Sequence, residues 1–240
     1  MRIGNKAMFK KQYNLRSSDF DRFLEIKPSA ILDLFQTVAG LHAEKLGVGF
    51  NAMLERGFLW VILKVKYEVI RMPGMYENVT VATWPLEPKR LDFIRSYQIF
   101  DEIGKVIIKG TSQWAVIDKD TRKLARVTDV YKNIDRFCQD EVFDEKLIRV
   151  PDFNETEPQY IIASGFSDFD SNDHVNNIRY ADYVINAMKP QKPLNIKTFQ
   201  LDFHKELTGE ETAIFIEEND VILAKGMQKE NLMFSCKITK

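Results

Sequence analysis

The chain predicts an α+β fold built from two similar units, and three observations carry that reading. The tetrapeptide Ser-Asp-Phe-Asp occurs twice, at residues 18–21 and 167–170. Each copy leads into an apolar stripe at helical spacing. Each stripe is followed by a series of strand-like segments separated by short turn signals. A single helix lying on an antiparallel meander is a standard two-layer way to bury both apolar faces.

The first unit begins with a strand over residues 9–15. After the first copy of the tetrapeptide, Pro28 and Ser29 open a helix, because proline suits the first helical turn. Ile31, Leu34, Phe35, Val38, Leu41 and His42 form its stripe, and Gly47 marks its stop. Strands follow at 58–70, 78–83, 92–101 and 106–118, with turns at 72–74, 102–105 and 119–121. In the second unit Val175, Ile178, Tyr180, Tyr183, Val184 and Ala187 make the stripe, and Pro190 ends it. Strands then run over 196–204, 212–217, 221–228 and 232–238. The units span residues 1–130 and 160–240, and residues 131–159 form a charged connector. Ile134, Phe137, Val142, Phe143 and Leu147 give that connector enough apolar surface to pack on the body.

Composition narrows the function classes. The chain has 240 residues, 45% hydrophobic and 29% charged, with a formal net charge of −1. No global field directs it to nucleic acid or to a membrane surface. Cys138 and Cys236 stand far apart, which excludes zinc-type spacing and leaves free thiols as the expectation. No apolar leader and no run of spanning length is present, so the expected compartment is the cytoplasm.

The second copy of the tetrapeptide continues as Ser171-Asn172-Asp173-His174, whereas the first continues as Arg22-Phe23-Leu24-Glu25. Only the second loop therefore concentrates acid, amide and imidazole. On an extended approach, Asp170, Asn172 and His174 share one face. The helix that follows directs free N–H groups and its positive dipole end at the same place, a partner for a developing oxyanion. The imidazole of His174 is a candidate general base, and a carboxylate serves equally. No Gly-x-Ser-x-Gly elbow and no nearby cysteine appears, so attack by water is favoured over a protein nucleophile. Asp170 and Asn172 are also ordinary helix-cap residues, and taken singly each reads as a cap. Glu206, in the strand before the turn at Gly209, is a second carboxylate within reach if that strand runs beside the helix start. His42 and His204 read as structural.

The segment Asp170-x-Asn172-x-His174-Val175-Asn176-Asn177-x-x-Tyr180 resembles the active-site motif of acyl-acyl carrier protein (acyl-ACP) thioesterases. Trp60, Trp84-Pro85, Phe93-x-Arg95-x-Tyr97 and Trp114-x-x-x-Asp118 before Arg122 extend the likeness over nearly the whole chain. The resemblance implies a tandem hotdog fold, with an acyl-chain tunnel in the N-terminal unit. It implies hydrolysis of fatty acyl thioesters on acyl carrier protein, releasing free fatty acid and ending its synthesis, with no cofactor and no metal. Asp170, Asn172, His174 and Glu206 fall on the family's catalytic positions. Val175, Asn176 and Asn177, at the expected helix start, fall where the thioester carbonyl binds. Leu207 stands where the plant enzymes have cysteine, which rules out a mechanism needing a thiol there. The base stays open among Glu206, Asp170 and His174. The implied partner is an acidic carrier protein, and the chain is a monomer or homodimer. Two other readings remain: an acyl-CoA thioesterase of the same fold, separable by comparing carriers, and a non-catalytic acyl-binding module, which would have no need to retain the polar loop.

Overall fold

The computed structural model describes residues 7–88, 91–131, 137–154, 156–170 and 173–240. In the first unit β1 (Phe9–Asn14) precedes α1 (Pro28–Lys45) and a short α2 (Phe50–Glu55). Then come β2 (Phe58–Val69), β3 (Asn78–Pro85), β4 (Phe93–Phe100), β5 (Val106–Asp118) and a single turn of helix, α3 (Val127–Val130). In the second, β6 (Tyr160–Ile162) and α4 (Arg179–Met188) precede β7 (Thr198–Phe203), β8 (Thr212–Glu218), β9 (Ile222–Gln228) and β10 (Asn231–Thr239).

Among the described residues these strands form one antiparallel sheet in the order β1-β3-β4-β5-β2-β7-β10-β9-β8-β6. Read inward from either edge, the order is first, third, fourth, fifth and second strand of a unit. The two units are thus topological copies, a tandem hotdog. They join where β2 pairs with β7, from Lys64 opposite Asp202 to Glu68 opposite Thr198.

One apolar cluster runs through both units, drawing on α1, α4 and the sheet. Helix α1 buries Ile31, Leu32, Phe35, Val38, Ala39 and His42. Leu41 is 37% exposed and Leu34 only partly covered, so the predicted stripe is rotated toward Leu32 and Ala39. At 3.6 residues per turn, 31, 35, 38 and 42 set the axis of the face, and the packing of the sheet decides which flank is covered. Each large apolar side chain buried there contributes roughly 1.5–3 kcal/mol. Pro28 opens the helix, and Gly47 adopts φ 71° beyond its end.

Helix α4 starts at Arg179, four residues after the expected start near Val175. Val175 is bridged to Phe169 instead, and Asn176 Oδ1 accepts the Ile178 N–H at 3.1 Å. The chain between them is a turn that completes the loop before helical hydrogen bonding begins. At the other end Lys189 takes a left-handed conformation and Pro190 blocks continuation.

The connector lies on the body. Cys138 N–H donates to Pro85 O at 3.0 Å, and the Phe137 ring packs edge-on to Tyr131. Val142 packs on the cluster around Trp84, and Phe143 lies under the Lys66 and Lys109 ammonium groups. Ile134 is outside the described residues. Farther on, Val150 N–H donates to Asp202 Oδ2 at 2.8 Å, and Gln200 Nε2 donates to both Ile148 O and Asp202 Oδ1. The connector is thus tied to β7 at the seam between the units. Both cysteines are free and buried, and burial pushes each thiol up. No helix among the described residues is long and apolar enough to cross a membrane.

Candidate active site

The repeated tetrapeptide folds the same way twice, bond for bond. Ser17–Asp19 and Phe166–Asp168 each form one turn of 3₁₀ helix. Phe20 then bridges Ile26, and Phe169 bridges Val175. Asp21 N–H donates to Glu25 O at 2.9 Å, and Asp170 N–H donates to His174 O at 2.9 Å. Leu24 and Asp173 occupy the left-handed region at φ 63° and 60°. Lys27 N–H reaches Asp19 O at 2.9 Å, and Asn176 N–H reaches Asp168 O at 2.8 Å. The loop is therefore a closed turn, and the alternation expected of an extended approach does not hold. Asp170 and His174 come together because they are partners at the base of the turn. Asn172, with Ser171, lies outside the described residues.

What differs between the copies is what the side chains do. In the first, Asp21 Oδ1 accepts the N–H groups of Phe23 and Glu25, and the Glu25 carboxylate accepts those of Leu194 and Asn195. Both acids are consumed in holding the chain. In the second, His174 occupies the place of Glu25. Its Nε2 lies 3.4 Å from Glu206 Oε2, with the two side chains 34% and 38% exposed, so water reaches both.

Glu206 is not in a strand. The β7 ladder ends at Phe203, because His204 and Lys205 both donate their N–H groups to Met233 O and the chain then leaves the sheet. The departing segment is fastened to the motif at the next residue. Val175 N–H donates to Leu207 O at 3.2 Å, and Leu207 N–H donates to the Tyr180 hydroxyl at 2.9 Å. Leu207 itself is fully buried, and the site carries no thiol at that position. Burial raises the Tyr180 hydroxyl pKa, against the Leu207 hydrogen bond, and the nearby Glu206 and Asp170 carboxylates add to the rise.

The expected carbonyl-binding residues divide. The backbone N–H groups of Val175 and Asn176 are engaged by Leu207 O and Asp168 O, and the Asn176 side chain caps Ile178. Asn177 lines a narrow apolar cavity of about 20 Å³ together with Phe35, Ile62, Tyr97, Trp114 and Phe203. The Phe35 ring stacks on Tyr97 at 4.3 Å between centroids, and Trp114 Nε1 and Tyr97 Oη meet at Ser112 Oγ, at 2.7 and 2.8 Å. The cavity thus lies between α1, the sheet and the segment just before α4.

Two participants carried no assigned role in the sequence. Arg122 Nη2 lies 2.7 Å from Glu206 Oε2, across the boundary between the units. Asp168 accepts hydrogen bonds from Gly165 N–H and from the Tyr183 hydroxyl, and pairs with Arg179. The signal for Asp168 was available in the repeat, since Asp19 accepts the Arg16 N–H in the same way. For Arg122 the turn signal Lys119-Asp120-Thr121 located a bend, but nothing local indicated what its side chain would meet. His204 bonds Ser235 Oγ at 2.8 Å and His42 bonds Arg95, which agrees with structural roles for both. No group of three or more potential metal ligands occurs among the described residues.

Comparison with known proteins bears on the whole chain. Residues 6–134 match the family model of the acyl-ACP thioesterase N-terminal domain, and residues 154–240 match that of the C-terminal domain. A chloroplastic oleoyl-acyl carrier protein thioesterase of Arabidopsis thaliana is 29% identical over 219 residues, covering 82% of this chain and 59% of the relative. A chloroplastic acyl-[acyl-carrier-protein] hydrolase of Cuphea viscosissima is 28% identical over 200 residues, covering 78% and 48%. The chain spans about half the length of the curated relatives it matches. Among solved structures, an acyl-ACP thioesterase of Bacteroides thetaiotaomicron superposes with a TM-score of 0.85 at 23% identity over 100% of this chain and 99% of that one. The 12:0-ACP thioesterase of Umbellularia californica gives 0.80 at 18% identity, over 97% and 96%. Both share the fold described above.

Proposed function

The chain belongs to the acyl-ACP thioesterase family, and from that premise we propose that it hydrolyses fatty acyl thioesters on acyl carrier protein, releasing free fatty acid and ending chain elongation in the cytoplasm. The observation that carries the reading is the contact of His174 Nε2 with Glu206 Oε2, open to water, in the loop that leads to Asn177.

The acyl chain lies in the N-terminal unit, where the side chains around the 20 Å³ void part to admit it, and the thioester carbonyl rests against the loop beside Asn177. Arg122 and His174 both approach Glu206 Oε2, and the half-exposed carboxylate accepts a proton from water. The water oxygen attacks the carbonyl carbon and the proton passes to Glu206. Collapse breaks the C–S bond, and the proton goes on to the leaving thiolate. His174 and Asp170 hold water and carboxylate in register. A positioned base of this kind contributes about 10²- to 10⁴-fold, and one aimed carbonyl donor about 3 kcal/mol.

The test compares one acyl chain on acyl carrier protein and on coenzyme A, with free thiol and free acid both measured. Higher kcat/KM on the carrier protein, declining with ionic strength, supports the reading. Higher kcat/KM on coenzyme A would make this an acyl-CoA thioesterase instead. Turnover of neither, or wild-type turnover in Glu206→Ala, Asp170→Ala and His174→Ala alike, overturns the assignment.

A further inference from the structure

We infer that Arg122 is a positioning residue for Glu206, holding the carboxylate against His174 from the opposite unit; the inference rests on the hydrolytic reading above. Arg122 Nη2 and His174 Nε2 approach the same oxygen, Glu206 Oε2, at 2.7 and 3.4 Å. One cation from the N-terminal unit thus bears on where a C-terminal carboxylate points.

The backbone around Arg122 is arranged to deliver that side chain. The Asp118 carboxylate accepts the N–H groups of Asp120 and Thr121 and the Thr121 hydroxyl, and these bonds hold its pKa below the usual carboxylate range. Arg122 N–H donates to Asp118 O at 2.9 Å, and Asp118 N–H donates to Lys123 O at 2.8 Å. Within this closed turn Arg122 sits at φ 57°, a conformation that favours glycine or asparagine. Stability does not account for an arginine there. The pair is 49% and 38% exposed, and exposed ion pairs contribute little. Orientation does account for it. Glu206 lies beyond the end of β7 in irregular chain, where Lys205 and Leu207 on either side are hydrogen-bonded, and among the described residues its side chain is met by Arg122 and His174. Catalytic groups lose rate steeply when misplaced by an ångström.

The experiment uses the full chain with Arg122→Gln, Arg122→Lys, Glu206→Gln and the Arg122→Gln/Glu206→Gln double variant, on both acyl-ACP and acyl-CoA. Arg122→Gln is expected to lower kcat about tenfold with KM within about twofold on both substrates, with Arg122→Lys restoring most of it. In the Glu206→Gln background the Arg122 change adds nothing further. A rise in KM confined to the carrier-protein substrate, or additive losses in the double variant, overturns the inference by making Arg122 a docking or independent residue. A charge swap separates this from failure of the hydrolase reading. Arg122→Glu is expected to lower Tm by about 2 °C and Arg122→Glu/Glu206→Arg to restore it, whether or not a thioester is hydrolysed. No restoration means that the two side chains do not meet in solution.

Discussion

Tyr180 and Leu207 are joined by a hydrogen bond in which the Leu207 N–H donates to the Tyr180 hydroxyl at 2.9 Å. Tyr180 is buried on α4, and Leu207 is buried beside Glu206. The bond is the link through which the helix after the loop sets the position of the carboxylate before the turn at Gly209.

Tyr180→Phe removes that acceptor while keeping the ring, which packs against Phe203 and Phe234. A buried N–H left without a partner costs about 1–3 kcal/mol. Urea denaturation is expected to show a loss in that range, and kcat a further fall because Glu206 shifts. Unchanged kcat in a destabilised variant would separate the backbone link from the site.

Asp202→Ala is expected to destabilise by about 1–3 kcal/mol. Asp202 is 1% exposed at the seam of the units and accepts Val150 N–H and Gln200 Nε2. Its loss leaves both donors buried and frees the connector. Limited proteolysis between residues 139 and 154 reads the second effect, and a wild-type cleavage pattern would count against it.

His42 makes stability depend on acid. Burial, then the neighbouring Arg95 and Lys45 charges, lower its pKa from 6.5 to about 3. Arg95 Nη1 approaches His42 Nδ1 at 3.1 Å, a contact that needs the neutral ring. Between those two values the unfolded chain binds the proton and the folded chain does not. Stability is therefore full above the unfolded value and falls as pH drops toward the folded one, by up to about 1.4 kcal/mol per pH unit from this group. His42→Gln is expected to flatten the denaturation midpoint across that window. An unaltered slope would show that His42 is protonated in the fold.

Phe35 stands across the cavity, stacked on Tyr97 and resting on Gly110. Phe35→Leu enlarges the cavity. The product profile is expected to move to longer acyl chains, and because a methylene in an apolar pocket is worth about 1–3 kcal/mol, preference between neighbouring even chains should change about tenfold or more. An unchanged profile would place the acyl chain elsewhere.

Much of this protein was legible in its residues. The repeat at Ser18 and Ser167, the Pro28 start and Gly47 stop of α1, and the strand series of each unit are local patterns. They depend on side-chain period and turn chemistry over a few neighbours, and both units realise them. The loop at Asp170 to His174 was recognisable for the same reason. Its geometry was not: a left-handed residue at Asp173 and a bridge from Phe169 to Val175 turn an expected extended approach into a closed turn and delay α4 to Arg179.

The sequence by itself determined the α+β two-unit plan and the chemistry of the second loop, because both are written in short-range order. Only the tertiary structure decided that Glu206 leaves β7 to meet His174, and that Arg122, 84 residues earlier, reaches the same carboxylate. Those contacts exist because β2 pairs with β7 and draws the two units into one sheet. No local propensity encodes that pairing; it follows from burying the apolar faces of both helices in a single core.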